Sequence, residues 1–261
     1  MEIEGKVVIV TGAGGDGSGR AIARRFAHDG AAVVVSDINE DGGIETVALI
    51  ESDGGRALFH RTDIRVEPEV HDLIDSAERT FGSLNMLINN ASAQFRPGEP
   101  LEHWAEIVQT DFLGAMYATR CAIEAMKRAG GGAIVNMSSI SALWRGRDGG
   151  APAYDTAKAG LIRLTTTLAW LKEKENIRVN CLAPGWIASE KVRSYWESLT
   201  PEQRIERQAP SRLLQLDEVA DKVVRLATDE SLFGRILVWW SEDPPQLIPS
   251  GDRGYAALQP W

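Results

Sequence analysis

Residues 6–19 read KVVIVTGAGGDGSG. The run KVVIV is rich in β-branched residues, which suits a strand buried on both faces. Glycines then crowd the chain at Gly12, Gly14, Gly15, Gly17 and Gly19. A helical pattern begins near residue 18 and runs to about 28. A glycine-rich turn between a first strand and a first helix lets the backbone approach a pyrophosphate at the helix N-terminus, where amides lack partners. Gly12-x-Gly14-x-x-Gly17 matches the general dinucleotide fingerprint. Gly12-x4-Gly17 also has the glycine gap of a nucleoside-triphosphate loop, but Ser18 stands where that loop needs lysine. A glycine turn can be no more than a flexible connection. Its place between strand and helix favours cofactor binding.

The alternation continues outward from this stretch. Residues 32–36 (AVVVS) make a second strand. A helix carrying Ile44, Val47 and Ala48 follows, then a weaker strand at 57–60. Val70, Leu73, Ile74, Ala77 and Phe81 recur with helical period. Residues 84–88 form strand four, and one long helical stretch runs over 101–128, stopped by Gly130-Gly131-Gly132. Residues 133–137 form strand five, and 177–182 form strand six. Thr200-Pro201-Glu202-Gln203 is a helix start with a capping box. A helix over 217–228 precedes a seventh strand at 235–239. The expected fold class is α/β: a single-domain, Rossmann-type, doubly wound parallel sheet of about seven strands with helices on both faces. Residues 1–261 read as one domain, with an irregular tail at about 241–261.

Composition narrows the function. Hydrophobic residues are 44% and charged residues 25%, ordinary for a soluble globular protein. A net charge of −9 argues against a nucleic-acid or anionic-membrane partner. Cys121 and Cys181 read as reduced core residues, and the four histidines have no metal-ligand spacing, so no metal is expected. The residues from Met1 show no signal-peptide pattern, and no apolar run approaches a membrane span, so the expected location is cytoplasmic.

Two features suggest redox chemistry. Asp37, 20 residues past Gly17, ends the second strand, where a carboxylate accepts hydrogen bonds from an adenosine ribose and repels a 2′-phosphate. Asp16 adds negative charge in the turn. The expected cofactor is therefore NAD rather than NADP; the alternative reading of Asp37 is a helix cap. Further along, Tyr154-Asp-Thr-Ala-Lys158 places a phenol and an ammonium one helical turn apart. A nearby ammonium favours the phenolate. With a further hydroxyl, the pair can hold a carbonyl or alcohol oxygen for proton transfer. A plain surface pair gives the same spacing.

With these pieces in order, the chain resembles the short-chain dehydrogenase/reductase family over about residues 5–239. Thr11-Gly12…Gly17-Ser18-Gly19 is similar to the family's glycine turn with one extra residue. Asp63 stands where the family uses an aspartate against adenine. Asn89-Asn90-Ala91-Ser92 is similar to its Asn-Asn-Ala-Gly motif. Ser139, Tyr154 and Lys158 match its catalytic residues, and Pro184-Gly185-Trp186-Ile187 its nicotinamide-contacting segment. The resemblance implies that Tyr154 is the general acid/base, that Lys158 lowers its pKa and holds the nicotinamide ribose, and that Ser139 binds the substrate oxygen. It implies NAD contacts from Gly12, Asp16, Gly17, Ser18, Asp37, Ile38, Asp63, Ile64, Asn90, Ala91, Tyr154, Lys158, Pro184, Gly185 and Ile187. It further implies a lid at about 186–210, with Gln94, Trp144, Trp186 and Trp196 toward a small alcohol or ketone, and a homo-oligomer, tetramer or dimer.

The chain departs from the family in four places: the longer glycine turn, Ser92 for glycine, two extra residues between Ser139 and Tyr154, and Asp111 for the usual asparagine. Asp111 either keeps or alters the proton relay beside Lys158, or only caps or solvates a helix kink. A rival reading from another class is a dinucleotide-binding protein with weak or no catalysis, in a regulatory or scaffold role. Another is a relative acting on C–N or C=C bonds or a sugar ring.

Overall fold

The computed structural model describes residues 1–93, 101–143 and 150–249. In chain order the elements are β1 (Val7–Thr11), α1 (Ser18–His28), β2 (Ala32–Asp37), α2 (Glu40–Ser52), β3 (Arg56–Arg61), α3 (Glu67–Phe81) and β4 (Met86–Asn89). Then come α4 (Glu102–Val108), a π-helical turn (Gln109–Gly114), α5 (Ala115–Arg128), β5 (Gly132–Met137) and a 3-10 turn (Ile140–Leu143). The rest is α6 (Pro152–Thr167), α7 (Leu171–Glu175), β6 (Ile177–Pro184), α8 (Glu190–Ser198), α9 (Pro201–Glu206), α10 (Leu216–Thr228), β7 (Ile236–Trp239) and β8 (Gln246–Leu247).

The strands join one sheet in the order β3-β2-β1-β4-β5-β6-β7-β8. Pairing is parallel from β3 to β7. Strands β1, β4 and β5 are buried throughout, as their unbroken apolar runs require. A large apolar core forms on each face of the sheet, with a smaller cluster at Cys181, Ala183 and Ile236 of β6 and β7. Ile22 and Phe26 fasten α1 to the first face and are fully buried, each contributing about 1.5–3 kcal/mol through burial. Leu73, Ile74 and Ala77 of α3 fill the second. The chain order reverses between β1 and β4, so a crevice opens beyond their C-terminal ends.

Two expectations need correcting. Among the described residues the sheet has eight strands, because part of the tail that reads as irregular joins it. Pro244 and Pro245 fall in the turn after β7, and β8 then pairs antiparallel with β7, Leu237 opposite Leu247. A two-residue strand carries too little pattern to be read from sequence. The stretch 101–128 is also not one helix. The π-helical turn interrupts it at Asp111, and Gly114 packs so closely on Ile64 that a Cβ would lie 2.7 Å from Ile64 Cγ1.

Candidate active site

The glycine turn sits at the C-terminal edge of the sheet and is held from three sides. Thr11 Oγ1 accepts the Asn90 and Ala91 amides, both at 3.1 Å. Asn90 Nδ2 donates to the Thr11 and Gly12 carbonyls at 3.0 and 3.1 Å, and its Oδ1 accepts Ser18 Oγ at 2.7 Å. Gly12 has φ +68°, and a Cβ there would lie 2.6 Å from Ala91 Cα. Only glycine fits that approach. The extra residue of the turn is accommodated outward, with Gly15 and Asp16 exposed. Gly17 gives α1 no side-chain cap, and the first turn of α1 holds no acidic residue. Those amides can meet an anion.

Asp37 faces this turn. Its Oδ2 accepts the Gly14 amide at 2.7 Å and its Oδ1 the Asn39 amide at 2.9 Å. The helix cap of α2 is Asn39, whose side chain accepts Gly42 N–H, so Asp37 does not have that role. Ile38 beside it is 58% exposed, a free apolar face at the rim. Asp63, beyond β3, is held by the Arg65 guanidinium, and that hydrogen bond keeps its carboxyl below the usual range. Ile64 is buried against Gly114.

Tyr154 and Lys158 lie in the first half of α6, which Pro152 opens. Lys158 Nζ stands 5.4 Å from the centre of the Tyr154 ring. Its carbonyl accepts Ser138 Oγ at 2.7 Å, and Nζ donates to the Met137 carbonyl at 3.1 Å. Asp111 Oδ2 is also 3.1 Å from Nζ. Both partners are nearly inaccessible, Lys158 3% and Asp111 1% exposed. Burial drives the phenol of Tyr154 above its ordinary pKa; Lys158 pulls it down, Asp111 pushes it up, and a hydrogen bond with Ser139 lowers it. Burial pulls the pKa of Lys158 down, but Asp111 and Tyr154 more than offset it and hold it above the ordinary lysine value, so it stays an ammonium. The arrangement can hold an oxygen between two hydroxyls and exchange a proton with it.

The segment after β6 covers the same edge. Pro184 ends β6 opposite Trp239, and the Gly185 amide donates to Trp239 O at 2.9 Å. A Cβ on Gly185 would lie 2.8 Å from the Trp240 ring. Ile187 bridges Leu214. Gly17 approaches Ser189, a Cβ there lying 4.0 Å from Ser189 Cβ, so this segment passes the glycine turn. Trp186 stacks on Tyr195, ring centres 5.8 Å apart. Trp196 donates to Pro210 O at 2.9 Å and carries the Arg204 guanidinium 3.9 Å over its ring, which makes it part of the segment's own packing. Gln94 and Trp144 lie outside the described residues.

Several contributors escape a reading of the sequence. Ser92 reaches Asp111, a contact between residues 19 apart. Asn89 Nδ2 donates to Thr119 Oγ1 and Asn136 Oδ1, and Asn136 Nδ2 to Thr165 Oγ1, at 2.8–2.9 Å. This buried string ties β4 and β5 to α5 and α6, fixing the helix of Tyr154 against the sheet. The available signal was an asparagine inside each of two apolar strands, where a polar side chain needs a partner. Among the described residues no group of three or more His, Cys, Asp or Glu is placed to hold a metal ion, and no helix is long and apolar enough to cross a membrane.

Comparison with known proteins agrees with this architecture. Residues 6–199 match the family model described as short chain dehydrogenase. The cis-4-hydroxycyclohexanecarboxylate dehydrogenase of Sinomonas cyclohexanicum is 36% identical over 233 residues, 87% of this chain and 91% of that protein. The 7alpha-hydroxysteroid dehydrogenase of Escherichia coli K12 is 32% identical over 233 residues, 87% of this chain and 89% of its own. A solved 7alpha-hydroxysteroid dehydrogenase complexed with NADH and 7-oxo glycochenodeoxycholic acid superimposes with a TM-score of 0.81 at 32% identity, covering 91% of this chain and 94% of that one.

Proposed function

The chain belongs to the short-chain dehydrogenase family of oxidoreductases, and from that premise we propose that it transfers a hydride between NAD(H) and a secondary alcohol or the matching ketone. The observation that carries the proposal is the grouping of Ser139, Tyr154 and Lys158 at the sheet edge that also holds the glycine turn. The relatives support a ring-borne oxygen, since both are named for a hydroxyl on a ring.

The cleft suits a dinucleotide. Gly15 and Gly17 leave open space beside the turn, and the α1 N-terminus offers amides to a pyrophosphate. Gly12, Gly17 and Ser18 would line the pyrophosphate, with Asp16 at the rim. Asp37 and Ile38 would take the adenosine ribose and one face of the adenine, with Asp63 and Ile64 beyond. Asn90, Ala91, Pro184, Gly185 and Ile187 would border the nicotinamide half, with Lys158 on its ribose. When bound, the nicotinamide accepts or returns the hydride. Asp37 favours NAD because a 2′-phosphate would meet a carboxylate already fixed by two amides. Arg20, one turn into α1, is held by Thr46, Gly42 and Glu45 of α2, so it does not offset that repulsion.

Tyr154 gives its proton to a carbonyl oxygen or takes one from an alcohol, and Ser139 orients that oxygen. Trp186 and Tyr195 form one wall of the substrate side, on a lid over about 186–210. The protein works in the cytoplasm as a homo-oligomer, paired through α5 and α6 and through the last strands. The test is a panel of cyclic and open-chain secondary ketones with NADH or NADPH, followed by loss of nicotinamide fluorescence. Turnover of a cyclic ketone, at least tenfold better with NADH, is expected. A strong preference for NADPH would remove the role given to Asp37, and no turnover with any carbonyl would remove the reaction.

A further inference from the structure

Ser92 and Asp111 stand 19 residues apart in the sequence, and in the fold they meet. Among the described residues, the contacts of the Asp111 carboxylate are with donors. Oδ1 accepts the Ala93 amide at 2.6 Å, and Oδ2 accepts both the Ser92 hydroxyl and the Lys158 ammonium. An asparagine amide has an acceptor on one side only, so its NH2 would face one of these donors. Three donors around two oxygens suit a carboxylate, whose oxygens both accept.

That charge changes what Lys158 does. A lone ammonium beside a phenol draws it toward the phenolate. Here the ammonium is 3.1 Å from a carboxylate, and both groups are nearly inaccessible. The field that reaches Tyr154 from the pair is far smaller than from the cation alone. The other groups around this site do not restore it. Asp155, the neighbour of Tyr154 on α6, opposes the phenolate, and Ser139 is a neutral partner. Cys181 of β6, which faces Lys158, keeps its proton because burial pushes its thiol up to about 12.

We propose that Asp111, held in place by Ser92, cancels the charge of Lys158 and so keeps Tyr154 a phenol at neutral pH, so that the protein reduces carbonyls there and oxidises alcohols only in alkali. The inference rests on the reading of Tyr154 as the proton-transfer group. In reduction the substrate carbon accepts a hydride from the reduced dinucleotide, its oxygen takes the phenol proton, and the phenolate regains a proton from water. In oxidation the phenolate must exist before the alcohol arrives, and that form is scarce until the medium is alkaline. Asp111 is thus a positioning residue that acts through Lys158, and Ser92 acts through Asp111.

Tyrosinate absorbance of the ligand-free protein, titrated against Tyr154→Phe to isolate the one phenol, reads this directly. Asp111→Asn should lower the Tyr154 midpoint by about one unit and raise alcohol oxidation at neutral pH about tenfold relative to ketone reduction. The double variant Ser92→Gly/Asp111→Asn, which removes the hydroxyl along with the charge, should titrate like Asp111→Asn and serves if the single variant folds poorly. Ser92→Gly alone should lower the melting temperature of the parent but not that of Asp111→Asn. An unmoved midpoint in the folded Asp111 variants overturns the proposal, as does an equal effect of Ser92→Gly in both backgrounds. If Tyr154→Phe itself keeps turnover, the functional reading fails instead.

Discussion

At the scale of single residues, Cys181 shows how burial sets chemistry. Its side chain is fully buried on β6 with no disulfide, and burial pushes its thiol up to about 12. In an unfolded chain a thiol ionises near ~8.5. A folded pKa above the unfolded one means the stabilising contribution is whole below ~8.5 and is lost as pH rises toward 12. Tyr154 and Lys158, also raised, act in the same direction above ~10. The melting temperature should therefore be flat to about pH 8 and fall above it. Cys181→Ala should flatten the first part of that fall; a variant with the parent's slope would contradict the assignment. The sequence made Cys181 legible as a core thiol, since it lies inside an apolar run. Tyr154, Lys158 and Asp37 stood out by spacing, which left a surface pair and a helix cap open; the family resemblance supplied the roles proposed for them. Asp111 was legible only as an oddity. Its partners are Ser92, Ala93 and Lys158, up to 47 positions away in a chain of 261, and no local period brings them together.

At the scale of elements, the glycine turn is a packing joint as much as a flexible loop. A Cβ on Gly42 would collide with the Gly14 carbonyl, and one on Gly14 would lie 2.7 Å from Asp37 Cγ. The start of α2 thus presses on the turn that Asp37 holds. Gly42→Ala should cost about 1–3 kcal/mol of stability through overpacking and weaken NADH binding together with it. Chemical denaturation and fluorescence titration check both; unchanged stability would show that the joint is loose. Strands and helices here were legible because buried parallel strands read as continuous apolar runs and α3 keeps a clean helical period. The break in 101–128 was not. A π-helical turn leaves the sequence helical on both sides, and what fixes it is Gly114 against Ile64, a tertiary contact. That turn directs Asp111 inward, so the missed element and the unexplained residue share one cause.

At the scale of the whole molecule, the sheet gathers what the chain scatters. The ends of β1, β2, β4, β5 and β6 bring the glycine turn, Asp37, Asn90, Ser139 and Pro184 to one edge. The α6 helix then delivers Tyr154 and Lys158 to the same side, fastened by the Asn136–Thr165 contact. Strand eight lay beyond sequence reading because two paired residues carry no period, whereas seven strands announce themselves. The account stands on Tyr154 as the group that moves the proton. The most direct measurement is ketone reduction and NADH affinity in Tyr154→Phe beside the parent. The account predicts that turnover falls by ~10²–10⁴-fold while NADH binds as before; a variant that binds NADH and turns over near the parent's rate would contradict it.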